Sequence, residues 1–94
     1  MVTDIFIVSV EPLEDHMLRV NWRGGSITYL NMKPLLNGIR FGALRDEDVW
    51  KNVTTDGRFI TWISKYGTEI DMAEYEVHAF ADEFSPLSPK RPLP

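Results

Sequence analysis

The pair Asp56-Gly57 constrains the fold most, because it lies between two runs of residues that favour β-strands. Asp-Gly is typical of two-residue β-hairpin turns, in which both central residues adopt positive φ. The second run, residues 59–63, carries large apolar side chains on both faces, including Trp62. We therefore expect a hairpin whose second strand lies either beneath helices or on a surface that meets another chain.

The N-terminal third predicts a three-stranded antiparallel meander. Its second strand, residues 17–22, alternates between apolar and polar side chains, so one of its faces belongs to the core. A Gly-Gly turn follows, and the third strand is expected to direct Ile27 and Tyr29 inward. The first strand, residues 5–10, is apolar on both faces and therefore needs a cover on both sides.

Two short helical segments are predicted between the meander and the hairpin. Asn31 is expected to cap the first, which ends near an Asn-Gly pair. The second begins with acidic residues, which favour the positive end of a helix dipole, and continues with Val49 and Trp50. We expect Trp22 and Trp50 to pack in the core, whereas the position of Trp62 stays open.

A C-terminal helix is predicted over residues 71–84. Its first four residues, Asp-Met-Ala-Glu, fit a capping box, and its apolar residues fall on one helical face. That apolar face consists of Ala73, Val77, Phe80 and Phe84. Residues 69–83 contain no Lys or Arg, so we expect the helix to present a negative outer face. The acidic residues in this stretch are Glu69, Asp71, Glu74, Glu76, Asp82 and Glu83.

Length and composition predict one small α+β domain, residues 1–84, followed by a flexible proline-rich tail, residues 85–94. The chain has 44% hydrophobic and 26% charged residues, and it has no apolar run that could span a bilayer. It contains no cysteine and no recognisable signal peptide, so we expect a cytoplasmic protein. A formal charge of −4 argues against binding to nucleic acid.

The residues do not indicate an enzyme. The two histidines, His16 and His78, are not arranged with a nucleophile in any recognisable motif. His78 follows Glu74 by four residues and could pair with it on a helix surface. The acidic run at residues 46–48 is explained by the helix dipole, so we expect neither a metal ion nor a cofactor.

Three motifs in order carry a family resemblance: residues 31–36 (Asn-Met-Lys-Pro-Leu-Leu), residues 44–50 (Leu-Arg-Asp-Glu-Asp-Val-Trp), and Trp62 followed by residues 67–69 (Gly-Thr-Glu). The order of these three motifs resembles that found in the uncharacterised bacterial domain of unknown function 2442. The resemblance implies a compact α+β fold and an association with toxin–antitoxin-like systems or helix-turn-helix regulators, without catalytic residues. The chain departs from the family pattern by inserting residues 63–66 and by continuing into the C-terminal helix and tail.

Three functional hypotheses remain open at the level of sequence. The first is a non-enzymatic adaptor or antitoxin-like module that binds a basic protein partner. The second is a self-associating structural domain, such as a homodimer, and the third and least favoured is a binder of a small ligand or nucleic acid. The candidate partner-binding residues are Glu69, Glu74, Glu76, Asp82, Glu83 and Trp62. Charge reversal at Glu76 or Glu83 is expected to leave fold stability nearly unchanged, because both lie off the apolar helix face.

Overall fold

The computed structural model describes residues 6–84, and the side chains of residues 6–81. The predicted tail, residues 85–94, lies outside the described residues. Three short 3-10 turns, at Glu14–His16, Lys33–Leu35 and Gly42–Arg45, connect the regular elements. The fold mixes strands and helices, as the sequence predicts. In chain order the elements are β1 (Ile7–Pro12), β2 (Met17–Trp22), β3 (Ile27–Asn31), α1 (Glu47–Lys51), β4 (Thr54–Thr55), β5 (Phe59–Ile63), β6 (Glu69–Ala73) and α2 (Glu74–Phe84).

The first sheet is the predicted antiparallel meander, with strand order β1-β2-β3. The alternating residues of β2 face the core as expected, but the prediction for β3 was wrong. Ile27 and Tyr29 are 45% and 42% exposed, whereas Leu30 is fully buried. Leu30 lies opposite Leu18, and directly opposite residues of an antiparallel pair share a face. Successive side chains of a strand point to opposite faces, so an error of one residue in the predicted alternation of β3 exchanges its buried and exposed faces.

The second sheet has the order β4-β5-β6, so the predicted hairpin belongs to a three-stranded sheet. Gly57 has the expected positive φ of 106°, but Asp56 is not among the residues with positive φ. The backbone N–H of Asp56 donates to the carbonyl of Phe59, which leaves Gly57 and Arg58 as the central pair. Asp56 instead uses its carboxylate, which accepts the backbone N–H groups of Arg58 and Phe59 at 2.9 Å each.

The two sheets adjoin where β1 meets the turn between β4 and β5. The backbone N–H of Ile7 donates to the carbonyl of Gly57 at 2.8 Å. A Cβ atom added to Gly57 would overlap the ring of Phe6. Glycine is therefore required here by the close approach of Phe6 as well as by its positive φ.

Aromatic side chains fill the core between the sheets and helices. Trp22 and Trp50 are 3% and 2% exposed, as predicted, and Trp62 is completely buried. The rings of Trp50 and Trp62 stack with their centroids 6.0 Å apart, and Phe41 contacts Trp62 edge-on. The outer face of β5 stays at the surface, because Phe59 is 45% and Ile63 47% exposed.

Helix α1 has acidic residues in its first turn, as the sequence predicts, and the structure shows Asp46 as its N-cap residue. Its carboxylate accepts the backbone N–H of Asp48 at 3.0 Å, and Val49 and Trp50 are buried beneath the helix. The predicted cap by Asn31 was wrong in position: the N-cap residue of the Lys33–Leu35 turn is Met32, which makes no side-chain capping bond. The Asn31 side chain lies one residue earlier and accepts the backbone N–H of Lys33 at 3.1 Å.

Helix α2 begins three residues later than predicted, because residues 69–73 form β6 and pair with β5. The reciprocal capping interaction is also displaced: the carboxylate of Glu76 accepts the backbone N–H of Ala73 at 2.9 Å. Val77 is fully buried and Phe80 packs against the core, as the predicted apolar face requires. The side chain of Phe84 lies outside the described part. Neither α1 nor α2 has the length and hydropathy needed to cross a membrane.

Candidate protein-interaction groove

The structure separates the six sequence-predicted partner-binding residues. Trp62 is 0% exposed, so the prediction that it contacts a partner was wrong. Its position in β5 places it on the core face, where tertiary packing of α1 and Phe41 covers it. Glu69 is exposed on β6, while Glu74 and Glu76 lie in the first turn of α2. The side chains of Asp82 and Glu83 lie outside the described part.

Glu76 is held by the rest of the fold and is not a free surface acid. Its carboxylate forms a bidentate ion pair with the guanidinium of Arg40, with both N···O distances 2.8 Å. The Arg40 interaction and the bond from the N–H of Ala73 lower the pKa of Glu76, against a smaller opposing effect of burial. Reversing this charge would remove a cap and an ion pair, so these contacts argue against the expectation that charge reversal at Glu76 leaves stability unchanged.

A groove runs along the exposed edge of β6, opposite the segment that leads into the Gly42–Arg45 turn. Its volume is about 590 Å³, and we call it the β6 groove. Two large apolar side chains stand in its walls almost without cover, because Ile39 is fully exposed and Tyr66 is 89% exposed. The groove is lined by Ile39, Arg40, Ala43, Ser64, Tyr66, Thr68, Glu69, Ile70 and Asp71.

Two smaller hollows extend the groove towards α1. The first, of about 190 Å³, shares the Ala43, Ser64 and Tyr66 walls with the β6 groove and reaches Lys65. The second, of about 210 Å³, continues from Lys65 to Asp48. The three depressions share lining residues and therefore lie next to one another on this side of the molecule, and we call them together the channel.

The charges that line the channel do not cancel. Lys65 Nζ lies 3.0 Å from Asp46 Oδ2, and this pairing raises the pKa of Lys65 and lowers that of Asp46. Arg40 is likewise held by Glu76, which lies outside the groove lining. The two basic side chains are thus each held by one carboxylate, whereas the lining carboxylates Asp48, Glu69 and Asp71 form no salt bridge with a described basic side chain. Asp48 and Asp71 interact with Lys65 and Arg40 only at longer range, which leaves an excess of negative charge in the lining.

Both histidines make packing contacts. The Nε2 atom of His16 lies 2.8 Å from the carbonyl oxygen of Leu44, and its ring packs against Trp50. The ring of His78 stacks on Trp22 with a centroid distance of 4.7 Å and an interplanar angle of 15°. Among the described side chains, those of residues 6–81, no three histidine, aspartate or glutamate groups come together in an arrangement that could hold a metal ion.

Comparisons with protein-family models, with curated proteins and with solved structures gave no match. The resemblance to the domain of unknown function 2442 stays a prediction from the order of three sequence motifs.

Of the residues that line the groove, the sequence analysis named the acids Glu69 and Asp71 but missed the residues around them. Arg40 and Ile39 follow a turn and belong to no recognisable motif, so no signal distinguished them. Ser64, Lys65 and Tyr66 lie in the loop between β5 and β6, and in the structure they form one wall of the channel.

Proposed function

We propose that this protein is a non-enzymatic interaction module, of the adaptor or antitoxin-like kind, that binds a basic segment of a partner protein in the β6 groove. One observation supports this proposal above all. The basic side chains of the channel, Arg40 and Lys65, are each in a salt bridge with one carboxylate, while Asp48, Glu69 and Asp71 form no salt bridge within the described residues, so the lining carries more negative than positive charge. A cationic ligand would supply the missing charge.

The apolar walls supply a second reason. Ile39 and Tyr66 expose large apolar surfaces at the groove, and burying such surface on binding is favourable in proportion to its area. Tyrosine is also enriched in interface cores, because it combines a rigid ring with a polar hydroxyl. A partner segment that presents apolar side chains between its basic ones fits both features.

Selection of random peptides displayed on phage against the full chain tests this function. We expect the selected peptides to be rich in Lys and Arg. Their binding should weaken by about threefold or more in Glu69→Lys and in Tyr66→Ala, because each change removes a contact of the groove. Glu14→Lys is the matched control, since Glu14 is exposed and does not line the channel.

Equal weakening in Glu69→Lys and Glu14→Lys would show that the peptides respond to net charge and not to the groove. Association should also slow as salt concentration rises, because long-range attraction between the acidic channel and a basic peptide is screened. Enrichment of neutral or acidic peptides would contradict the proposal.

A second candidate function is self-association through the outer face of β5. Phe59 and Ile63 are both close to half exposed there and flank Thr61 on the same face. Exposed apolar groups that are contiguous on a sheet often mark an interface. Sedimentation velocity over a concentration series tests this: a dimer that Phe59→Lys dissociates would support it, and a strict monomer at high micromolar concentration would exclude it.

A further inference from the structure

The register of β5 and β6 shows which backbone groups of β6 point away from β5. Ser64 donates its backbone N–H to Thr68, and Glu74 donates to Arg58, so these two pairs are hydrogen-bonded. Hydrogen-bonded and non-hydrogen-bonded pairs alternate along an antiparallel ladder. The N–H and C=O groups of the odd-numbered β6 residues, from Glu69 to Ala73, therefore point outward, and β6 is an edge strand of its sheet.

The C-terminal half of this edge is closed by side chains. The guanidinium of Arg40 donates to the outward carbonyl of Asp71 at 2.7 Å. The carboxylate of Glu76 accepts the outward N–H of Ala73 at 2.9 Å. Because Arg40 and Glu76 also bond each other, the pair occupies the place that the backbone of a neighbouring strand would take.

The N-terminal half of the edge is open. No hydrogen bond from the backbone of residues 6–84 or from the side chains of residues 6–81 reaches the outward N–H or C=O of Glu69, or the N–H of Asp71. These groups border the β6 groove, where the exposed side chains of Ile39 and Tyr66 provide apolar walls. An unpaired strand edge beside an apolar groove is the arrangement used in strand addition, in which an extended peptide extends a sheet.

We infer that the open edge of β6, from Thr68 to Asp71, receives an extended segment of a basic partner as an additional strand, which ends at the Arg40–Glu76 pair. This inference rests on the proposed function and names its binding mode. Glu69 and Asp71 project on one face of β6 and Ile70 on the other. Side chains of the added strand would therefore alternate between basic residues, near the two carboxylates, and apolar residues.

Charge selects a basic partner over a second copy of this chain. Pairing of two β6 edges would place the carboxylates of Glu69 and Asp71 next to those of the other copy. Like charges opposite one another destabilise a strand pair. A basic strand replaces this repulsion with attraction at the same positions.

The test uses the peptide acetyl-Lys-Val-Arg-Val-Lys-Val-amide with the full chain labelled for NMR. On saturation, the backbone amides of Glu69 and Asp71 should exchange with solvent at least about tenfold more slowly, because strand addition gives each a hydrogen-bond partner. Two further peptides are methylated at backbone nitrogens: one at the three basic residues, and the other at the three valines. Alternate N–H groups of a strand point to opposite edges, so one isomer should lose at least about tenfold in affinity and the other should retain it.

The outcomes separate the inference from the proposed function. Binding of all three peptides with equal affinity, without slowed exchange at Glu69 and Asp71, would overturn strand addition and leave the groove as a site for side-chain recognition. No binding of the parent peptide at millimolar concentration would overturn strand addition. The proposed function would then be tested separately by the selection of phage-displayed peptides. A chain that dimerises through β6 by itself, with slowed exchange at the same amides, would overturn the choice of partner.

Discussion

The two halves of β6 differ in what meets their outward backbone groups. At residues 71–73 the Arg40–Glu76 pair bonds a carbonyl and an N–H group of the edge. At residues 68–70 the edge borders a groove with exposed apolar walls. The strand has one regular pairing with β5 throughout, so the difference comes entirely from the elements that pack beside it.

This difference shows how a small domain can protect one part of a sheet edge and leave another accessible. Unpaired edges invite association with other chains, and proteins commonly block them with charged side chains. Here the blocking carboxylate also caps α2, so the closed half of the edge is tied to the stability of the helix. The open half has no such role, so we expect its exposed side chain Glu69 to change with little effect on folding, whereas Ile70 belongs to the core.

The largest expected effect is on stability. Glu76→Ala removes the cap of Ala73 and the partner of Arg40, and we expect it to lower the free energy of unfolding by about 1–2 kcal/mol. Glu69→Ala, in the open half of the same strand, should change it by less than about 0.5 kcal/mol. Urea denaturation of both variants measures the contrast. Equal losses would mean that the two halves do not differ energetically.

A smaller effect is expected in amide exchange of the free protein. The N–H of Ala73 is bonded to Glu76 and should exchange about tenfold more slowly than the outward N–H of Glu69, which has no partner within the described residues. Glu76→Ala should remove the protection at Ala73 without altering exchange at Glu69. Protection that persists in this variant would show that another group closes the edge.

The smallest expected effect is on the dependence of stability on pH. Pairing with Arg40 lowers the pKa of Glu76 in the folded state, so its contribution is present above the unfolded pKa of about 4.3 and is lost as pH falls through the lower folded pKa. The stability difference between the native chain and Glu76→Gln should therefore shrink between about pH 5 and pH 3. A difference that stays constant over this range would exclude an ionic contribution from the pair.

Several local features follow from the sequence because their causes are local. The alternation of residues 17–22 identified the core face of β2, and the acidic start of α1 identified its N-terminus. Gly57 was recognised as a residue with positive φ. Each of these patterns reflects the geometry of a single element or turn, which neighbouring residues determine.

Other features depend on which elements meet, and the sequence was ambiguous or misleading about them. Residues 69–73 alternate like a strand but were assigned partly to the helix, because Asp71 and Glu74 also fit a capping box. Pairing with β5 decided between the two interpretations. The faces of β3 were likewise set by its register with β2, since a shift of one residue exchanges the buried and exposed sides.

The sequence by itself determined an α+β domain with an N-terminal meander, a turn at Gly57, two tryptophans in the core and an excess of acidic residues. Only the tertiary structure decided which acids are free to bind. Arg40 lies 36 residues before Glu76, and no local pattern links them. Because of their contact, the predicted binding residue Glu76 has a structural role. Trp62, another predicted binding residue, is buried in the core. Long-range packing determines which charges are paired and which edges are covered, and for that reason the groove could not be seen before the fold.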